Sequence, residues 1–126
     1  MRVEHIALNV KDPDGMAKWY CEHLGMKVVR EADSAYFIAD ETGHGILEIY
    51  NDPPDAVPDY ASMHPLLLHI AFHSEDLLRD HRRLISAGAK AEGEVPSESD
   101  IHGVFMLRDP WGLTIQLAKR EETFLP

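Results

Sequence analysis

The sequence predicts an α+β fold in which one module occurs twice in tandem. Residues 3–10, V-E-H-I-A-L-N-V, return 64 residues later as L-L-H-I-A-F-H-S, residues 67–74. A second pair, G-I-L-E-I-Y at 45–50 and L-T-I-Q-L-A at 113–118, is related by an offset of 68 residues. Both pairs alternate apolar and other residues, which is typical of strands with one buried face. Each module therefore opens and closes with a strand.

The opening strand of each module carries a histidine on the face predicted to lie away from the core. Alternation places Ile6, Leu8 and Val10 on the core face of the first strand and His5 on the opposite face. The same alternation places His69 away from the core in the second module, where Ile70 and Phe72 are the expected core residues. The two imidazoles therefore occupy matching positions.

A helix follows the first strand. Asp12 is placed to cap its N-terminus, Pro13 is tolerated at the first helical position, and Gly25 is placed to end it in a left-handed conformation. The apolar residues at helical spacing, which predict its buried face, are Met16, Trp19, Tyr20 and Leu24. Strands are then predicted at about residues 27–32, 35–40 and 46–50.

The second module repeats this plan with a strand at 66–73 and a helix capped by Ser74 and ended by Gly88. The residues at helical spacing are Leu78, His81, Leu84 and Ile85, so His81 is interpreted as a helix-face residue and not as a ligand. Residues 93–103 are predicted to form a loop, and strands are predicted at 104–108 and 113–118.

The closing strands carry the other two polar residues of the repeat. Leu47 and Ile49 are expected on the core face, which leaves Glu48 on the histidine side. Gln116 lies between Ile115 and Leu117 in the same way. Two imidazoles, one carboxylate and one amide are thus predicted to converge.

By length the 126 residues are expected to form a single domain. It comprises a first module at about 1–51, a proline-rich connector at 52–65, a second module at about 66–119 and a tail at 120–126. Tyr60 and His64 of the connector are assigned no role, and His102 of the loop is most simply a solvated residue, with a proton carrier in the cleft as the alternative. Whether these residues or His73 reach the site is left open.

Composition excludes several functions. The formal net charge of −10 repels nucleic acids and anionic lipids, and no apolar run approaches the length of a membrane span. Cys21 is the single cysteine, so no internal disulfide is possible, and Arg2 and Glu4 interrupt any secretory signal. We therefore expect a cytoplasmic protein with no nucleic-acid or membrane partner.

Four motifs show a resemblance to a known family. They are H-I-A-L-N-V, W-Y-C-E-H-L-G-M, L-H-I-A-F and R-D-P-W-G-L-T-I-Q-L, and through them the chain resembles the vicinal oxygen chelate superfamily of glyoxalases, bleomycin resistance proteins and extradiol dioxygenases. The resemblance implies two βαβββ modules that form a curled mixed sheet around a metal cleft, a homodimer and a small-molecule substrate. It also implies the metal ligands, which here are His5, Glu48, His69 and Gln116. Gln116 departs from the family pattern, because many relatives carry glutamate there.

Two imidazoles and a carboxylate suit one Zn²⁺, Ni²⁺, Co²⁺, Mn²⁺ or Fe²⁺ ion per site and do not suit calcium. The resemblance implies that such an ion holds two neighbouring oxygens of the substrate as a Lewis acid. An amide cannot titrate, so proton transfer from the ligand shell falls to Glu48. The sequence therefore favours a glyoxalase- or epimerase-type isomerase or lyase with Glu48 as its base.

Two other functions stay open at this point. His5, His69 and Glu48 match the two-histidine, one-carboxylate set of an Fe²⁺ extradiol-type dioxygenase, although such relatives usually carry the acid in the second module. A non-catalytic small-molecule binding or antibiotic-resistance protein is the other alternative. Such members commonly lack the metal residues that this chain retains.

Overall fold

The computed structural model describes residues 1–126 and shows two four-stranded sheets, each with one helix. The predicted α+β class and the tandem repeat are confirmed. The strands form two separate mixed sheets, and neither sheet closes on itself. The chain divides into two compact units, residues 1–58 and residues 59–126, and the division falls inside the predicted connector. No helix of the structure has the length and apolar character needed to cross a membrane.

The first unit has the order strand, helix and three strands. These elements are β1 (Ile6–Asn9), α1 (Pro13–Leu24), β2 (Lys27–Ala32), β3 (Ala35–Ala39) and β4 (Ile46–Tyr50). The sheet order is β1-β4-β3-β2, with β1 parallel to β4 and the other neighbours antiparallel. Strand β1, which His5 immediately precedes, is therefore an edge strand.

Helix α1 begins and ends where the sequence predicts. The Asp12 carboxylate accepts from the Gly15 backbone N–H, and Gly25 adopts a left-handed conformation with φ of 69°. The buried residues of the helix are Met16, Ala17, Trp19 and Tyr20, and the helix packs on β2, β3 and β4. Ile38 and Ile49 are fully buried on the sheet.

The prediction that Ile6 faces the core is wrong. Its side chain is 58% exposed, whereas Leu8 and Val10 on the same strand are buried. The physical reason is the position of β1 at the edge of the sheet, because α1 packs chiefly on the other three strands and does not cover the start of β1.

The second unit repeats the order of the first after a short 3₁₀ helix, Tyr60–Ser62. Its elements are β5 (Ile70–His73), α2 (Leu77–Ser86), β6 (Lys90–Glu92), β7 (Gly103–Arg108) and β8 (Thr114–Lys119), and the sheet order is β5-β8-β7-β6. The buried residues of α2 are Leu77, His81 and Leu84, whereas Ile85 is exposed.

Two predictions for the second unit are corrected, and one strand was not predicted. Asp76, not Ser74, caps α2, because the Ser74 backbone N–H pairs with the Ala118 carbonyl as an extension of β5. The strand predicted at 66–73 begins only at Ile70, since residues 64–67 form a turn. The strand β6 was not predicted, because three residues are too few to show alternation.

Candidate functional site

In the first unit, the structure brings two of the predicted ligands together. Glu48 lies between Leu47 and Ile49, which are buried on the core face, so its carboxylate projects from the opposite face. His5 immediately precedes β1, and Ala7 is the register partner of Glu48. The imidazole Nε2 of His5 lies 3.0 Å from Glu48 Oε2.

Two neighbours hold the His5 ring. Its Nδ1 lies 2.9 Å from the carboxylate of Glu4, to which it donates a hydrogen bond. Phe37, the register partner of Glu48 on β3, meets the ring edge to face, with a centroid distance of 5.2 Å and an interplanar angle of 85°. Both contacts were missed in the sequence, although Glu4 is adjacent to His5.

The His5–Glu48 geometry fits a divalent cation. With Nδ1–H donated to Glu4, Nε2 either carries a second proton that it donates to Glu48 or presents a lone pair toward the carboxylate. Two lone pairs in contact repel each other unless a cation lies between them. Two ligand atoms each about 2.1 Å from one ion, at a right angle, are about 3.0 Å apart. The pair therefore has the spacing of two adjacent metal ligands.

The second unit repeats the register of this arrangement. Ala71 is the register partner of Gln116, and His69 lies two residues before Ala71, as His5 lies two residues before Ala7. The matching strand positions inferred from the repeat are therefore present in both sheets.

The His69 ring has a defined tautomer. Its Nδ1 lies 2.9 Å from the carbonyl oxygen of Pro65, and a carbonyl can only accept a hydrogen bond. Nδ1 therefore carries the proton, which leaves the lone pair on Nε2 for a metal ion. Metal-binding histidines commonly use their second nitrogen in this way, which fixes the ring and raises the basicity of the ligand atom.

Gln116 is buried, with 7% of its surface exposed. Its amide Nε2 lies 3.8 Å from the sulfur of Met106, its register partner on β7, and donates a weak hydrogen bond to it. This contact occupies the amide nitrogen and leaves the carbonyl oxygen, which is the atom of glutamine that binds metals.

The structure contains no group of three or more His, Cys, Asp or Glu side chains placed to hold a metal ion. It brings together His5 and Glu48 in the first unit. In the second unit, His69 and Gln116 each have a separate hydrogen-bond partner, the Pro65 carbonyl and the Met106 sulfur. The four-ligand set stays a prediction.

The other histidines and Tyr60 are placed as follows. His73 is exposed and donates to Glu75 at 2.8 Å, a contact that, with nearby Lys119, lowers the pKa of Glu75. His102 is exposed, and the exposed His64 accepts from the Leu66 N–H through Nδ1. Tyr60 is buried in the 3₁₀ helix.

His81 is buried on the inner face of α2, and its Nε2 has no hydrogen-bond partner. Burial lowers the pKa of this imidazole. A cavity of about 310 Å³ in the same unit lies between the start of α2, residues 97–101 and Lys119, and none of the four predicted ligands lines it.

Solved structures share this fold. A glyoxalase family protein from Bacillus cereus has a TM-score of 0.76 at 19% identity, covering 94% of this chain and 93% of that one. An antibiotic binding protein from a Streptomyces species has a TM-score of 0.68 at 20% identity, covering 94% of both chains.

The curated protein glyoxalase I of Saccharomyces cerevisiae is 29% identical over an alignment 143 residues long, which covers 91% of this chain. The chain spans 44% of the length of that relative. The model of the Glyoxalase/Bleomycin resistance protein/Dioxygenase superfamily matches residues 2–117, which is nearly the whole chain. The repeat, the fold and this match together place the chain in the Glyoxalase/Bleomycin resistance protein/Dioxygenase superfamily.

Proposed function

We propose that the protein is a divalent-metal-dependent isomerase or lyase of the glyoxalase type. Its substrate would be a small molecule with two neighbouring oxygens, and its reaction a proton transfer. The observation that carries the proposal is the His5–Glu48 pair, whose 3.0 Å spacing and oriented imidazole suit a metal ion. The similarity to glyoxalase I of Saccharomyces cerevisiae supports the type of reaction.

The proposed ligands are His5 and Glu48 of the first unit and His69 and Gln116 of the second. The candidate ions are Zn²⁺, Ni²⁺, Co²⁺, Mn²⁺ and Fe²⁺, which accept imidazole together with oxygen ligands. When bound, such an ion supplies Lewis acidity that stabilises negative charge developing on a substrate oxygen.

The chain's own residues divide the remaining work. Glu48 is the one titratable carboxylate of the proposed set, so it accepts the proton from the substrate carbon and returns it. Glu4 and Phe37 keep His5 Nε2 directed toward Glu48. Gln116 contributes a neutral oxygen, so the ion and its protein ligands keep a net charge of +1, which favours an anionic substrate state.

A non-catalytic binding protein is the second candidate. The antibiotic binding protein from Streptomyces has the same fold, and the similarity covers 94% of both chains. This candidate differs from the first in one measurable respect, because a binder shows no catalysed proton exchange.

Metal binding is the first test. We expect about one ion per chain by elemental analysis, with affinity that falls at acidic pH because the histidine ligands need to be deprotonated. His5→Ala combined with His69→Ala should abolish this binding. The exposed Glu41→Gln is a matched control for a lost surface charge and should leave it unchanged. Full stoichiometry in the double histidine variant would show that the ligand assignment is wrong.

Proton transfer is the second test. Solvent-deuterium exchange into a panel of 2-oxo and 2-hydroxy carbonyl compounds should require the metal and should be lost in Glu48→Gln, which keeps part of its metal affinity. Full exchange activity in that variant would place the base elsewhere, with His73 and His102 as the next candidates. Metal binding without exchange, but with Fe²⁺-dependent oxygen consumption, would favour the dioxygenase reaction.

A further inference from the structure

Residues 60–69 lead from the connector into β5 and carry His69 at their end. They include the 3₁₀ helix Tyr60–Ser62 and a turn in which the Leu67 N–H donates to the His64 carbonyl at 2.9 Å. None of these residues belongs to a strand, so something other than sheet pairing has to fix their position.

The side chain of Arg108, the last residue of β7, binds this segment. Its Nη1 donates to the carbonyl oxygen of Tyr60 at 2.9 Å, and its Nη2 donates to the carbonyl oxygen of Met63 at 2.8 Å. Nη1 also donates to the Gly112 carbonyl at 3.2 Å, and Nε donates to Glu92 at 3.0 Å. The guanidinium is a rigid planar donor group, so these bonds fix both the distance of the segment from the end of β7 and its orientation.

The turn after β7 reinforces the same attachment. Gly112 lies so close to the 3₁₀ helix that a Cβ built on it would be 2.5 Å from the Cβ of Ala61. The side chain of Arg108 is 14% exposed, so its hydrogen bonds are largely shielded from water.

The backbone held by Arg108 is continuous with the carbonyl that contacts the His69 ring. Met63 is held by Arg108, Pro65 follows two residues later, and the His64–Leu67 turn encloses it. The Pro65 carbonyl then accepts the proton of His69 Nδ1 at 2.9 Å. The position of that carbonyl decides both the tautomer and the orientation of the imidazole.

We propose that Arg108 is a positioning residue for His69, which it orients for metal binding by fixing the backbone of residues 60–65. This inference rests on the proposed role of His69 as a ligand. A simple ion pair does not explain the geometry, because only one of the four hydrogen bonds of Arg108 goes to a carboxylate and the other three go to backbone carbonyls.

The test compares Arg108→Gln and Arg108→Lys with two controls. Arg82→Gln makes the same chemical change at an exposed position on α2, and Glu92→Gln removes the charged partner of Arg108 while leaving the carbonyl contacts. Arg108→Lys keeps the charge and the apolar stem, so it preserves a folded protein in which the planar donor group is lost.

The first readout is the tautomer of His69 in metal-free protein, measured by nitrogen-15 NMR of the imidazole. We expect the Nδ1–H form in the wild type and both controls, and a mixture of tautomers in both Arg108 variants. An unchanged Nδ1–H form in folded Arg108 variants would overturn the inference. This readout does not depend on metal binding, so it separates failure of the inference from failure of the proposed function.

The second readout is the affinity for Zn²⁺. Arg108→Gln should weaken binding about 10-fold, at the lower end of the range for residues that orient a ligand. In a His69→Ala background the same substitution should cause no further loss, because the ligand through which Arg108 acts is already gone. An equal loss in both backgrounds would show that Arg108 acts on the fold in general and would overturn the inference.

Discussion

The close approach of Gly112 to Ala61 predicts a large loss of stability for Gly112→Ala. The alanine Cβ would lie 2.5 Å from Ala61 Cβ, 2.7 Å from its Cα and 2.9 Å from its backbone nitrogen. Carbon atoms pack at about 3.5–4.0 Å, so the two backbones would have to separate by about 1 Å. Overpacking of this kind costs about 1–3 kcal/mol.

The backbone conformation adds to this cost. Gly112 has φ of 92°, a region in which an L-residue costs about 1–2 kcal/mol. The expected loss for Gly112→Ala is therefore about 2–5 kcal/mol, against a total stability of about 5–15 kcal/mol for a typical domain. Gly43→Ala is the matched control, because Gly43 has φ of 76° and nothing within 4 Å of an added Cβ. It should cost only the conformational part.

The assay is equilibrium unfolding in urea, followed by far-ultraviolet circular dichroism, for the wild type and both variants. Adding Ala61→Gly to Gly112→Ala should restore part of the loss, because it removes the 2.5 Å contact and leaves the two backbone contacts. Equal losses for Gly112→Ala and Gly43→Ala would refute the close approach. They would also argue against the attachment of the 3₁₀ helix to the turn after β7, on which the positioning role of Arg108 depends.

Three further predictions concern charge, pH and assembly. Gln116→Glu should tighten metal binding in a calorimetric titration and slow turnover of the native substrate, because a second carboxylate neutralises the centre and weakens its Lewis acidity. Burial lowers the pKa of His81, so the unfolded chain binds more protons than the folded protein, and stability should fall as the pH drops from about 6.5 toward the lower folded pKa. His81→Leu should remove this acid sensitivity in unfolding measured between pH 7.5 and pH 5.5, and an unchanged pH profile would exclude His81 as its source. Light scattering should show a homodimer, and a monomer of 14.2 kDa at micromolar concentrations would exclude a site shared between two chains. If two chains do share each site, mixing the His5→Ala and His69→Ala variants should restore part of the activity.

The repeat made most of the fold predictable. Two alternating stretches with a capped helix between them indicate a strand, a helix and further strands. Helix α1 begins after Asp12 and ends before Gly25, as predicted, because capping depends on local sequence. Register followed from the same alternation, so Glu48 lies opposite the core face.

The features that were not predicted from the sequence depend on tertiary contacts. Ser74 and Asp76 are equally good helix caps by residue type. Asp76 is the cap because the hydrogen bond from the Ser74 N–H to the Ala118 carbonyl keeps Ser74 extended. The exposure of Ile6 depends on which strands α1 covers. The contacts of Arg108 go to backbone carbonyls, which every residue possesses, so no residue pattern in the connector could reveal them.

The connector has far less freedom than its proline-rich composition suggests. Asn9 donates to the carbonyl oxygens of Pro53 and Ala56, and Arg108 holds the carbonyl oxygens of Tyr60 and Met63. Only Val57, Pro58 and Asp59 lie between the two anchored stretches. An insertion at Pro58 should therefore leave both anchored stretches intact, whereas a single residue inserted between Met63 and Pro65 would displace the carbonyl that orients His69.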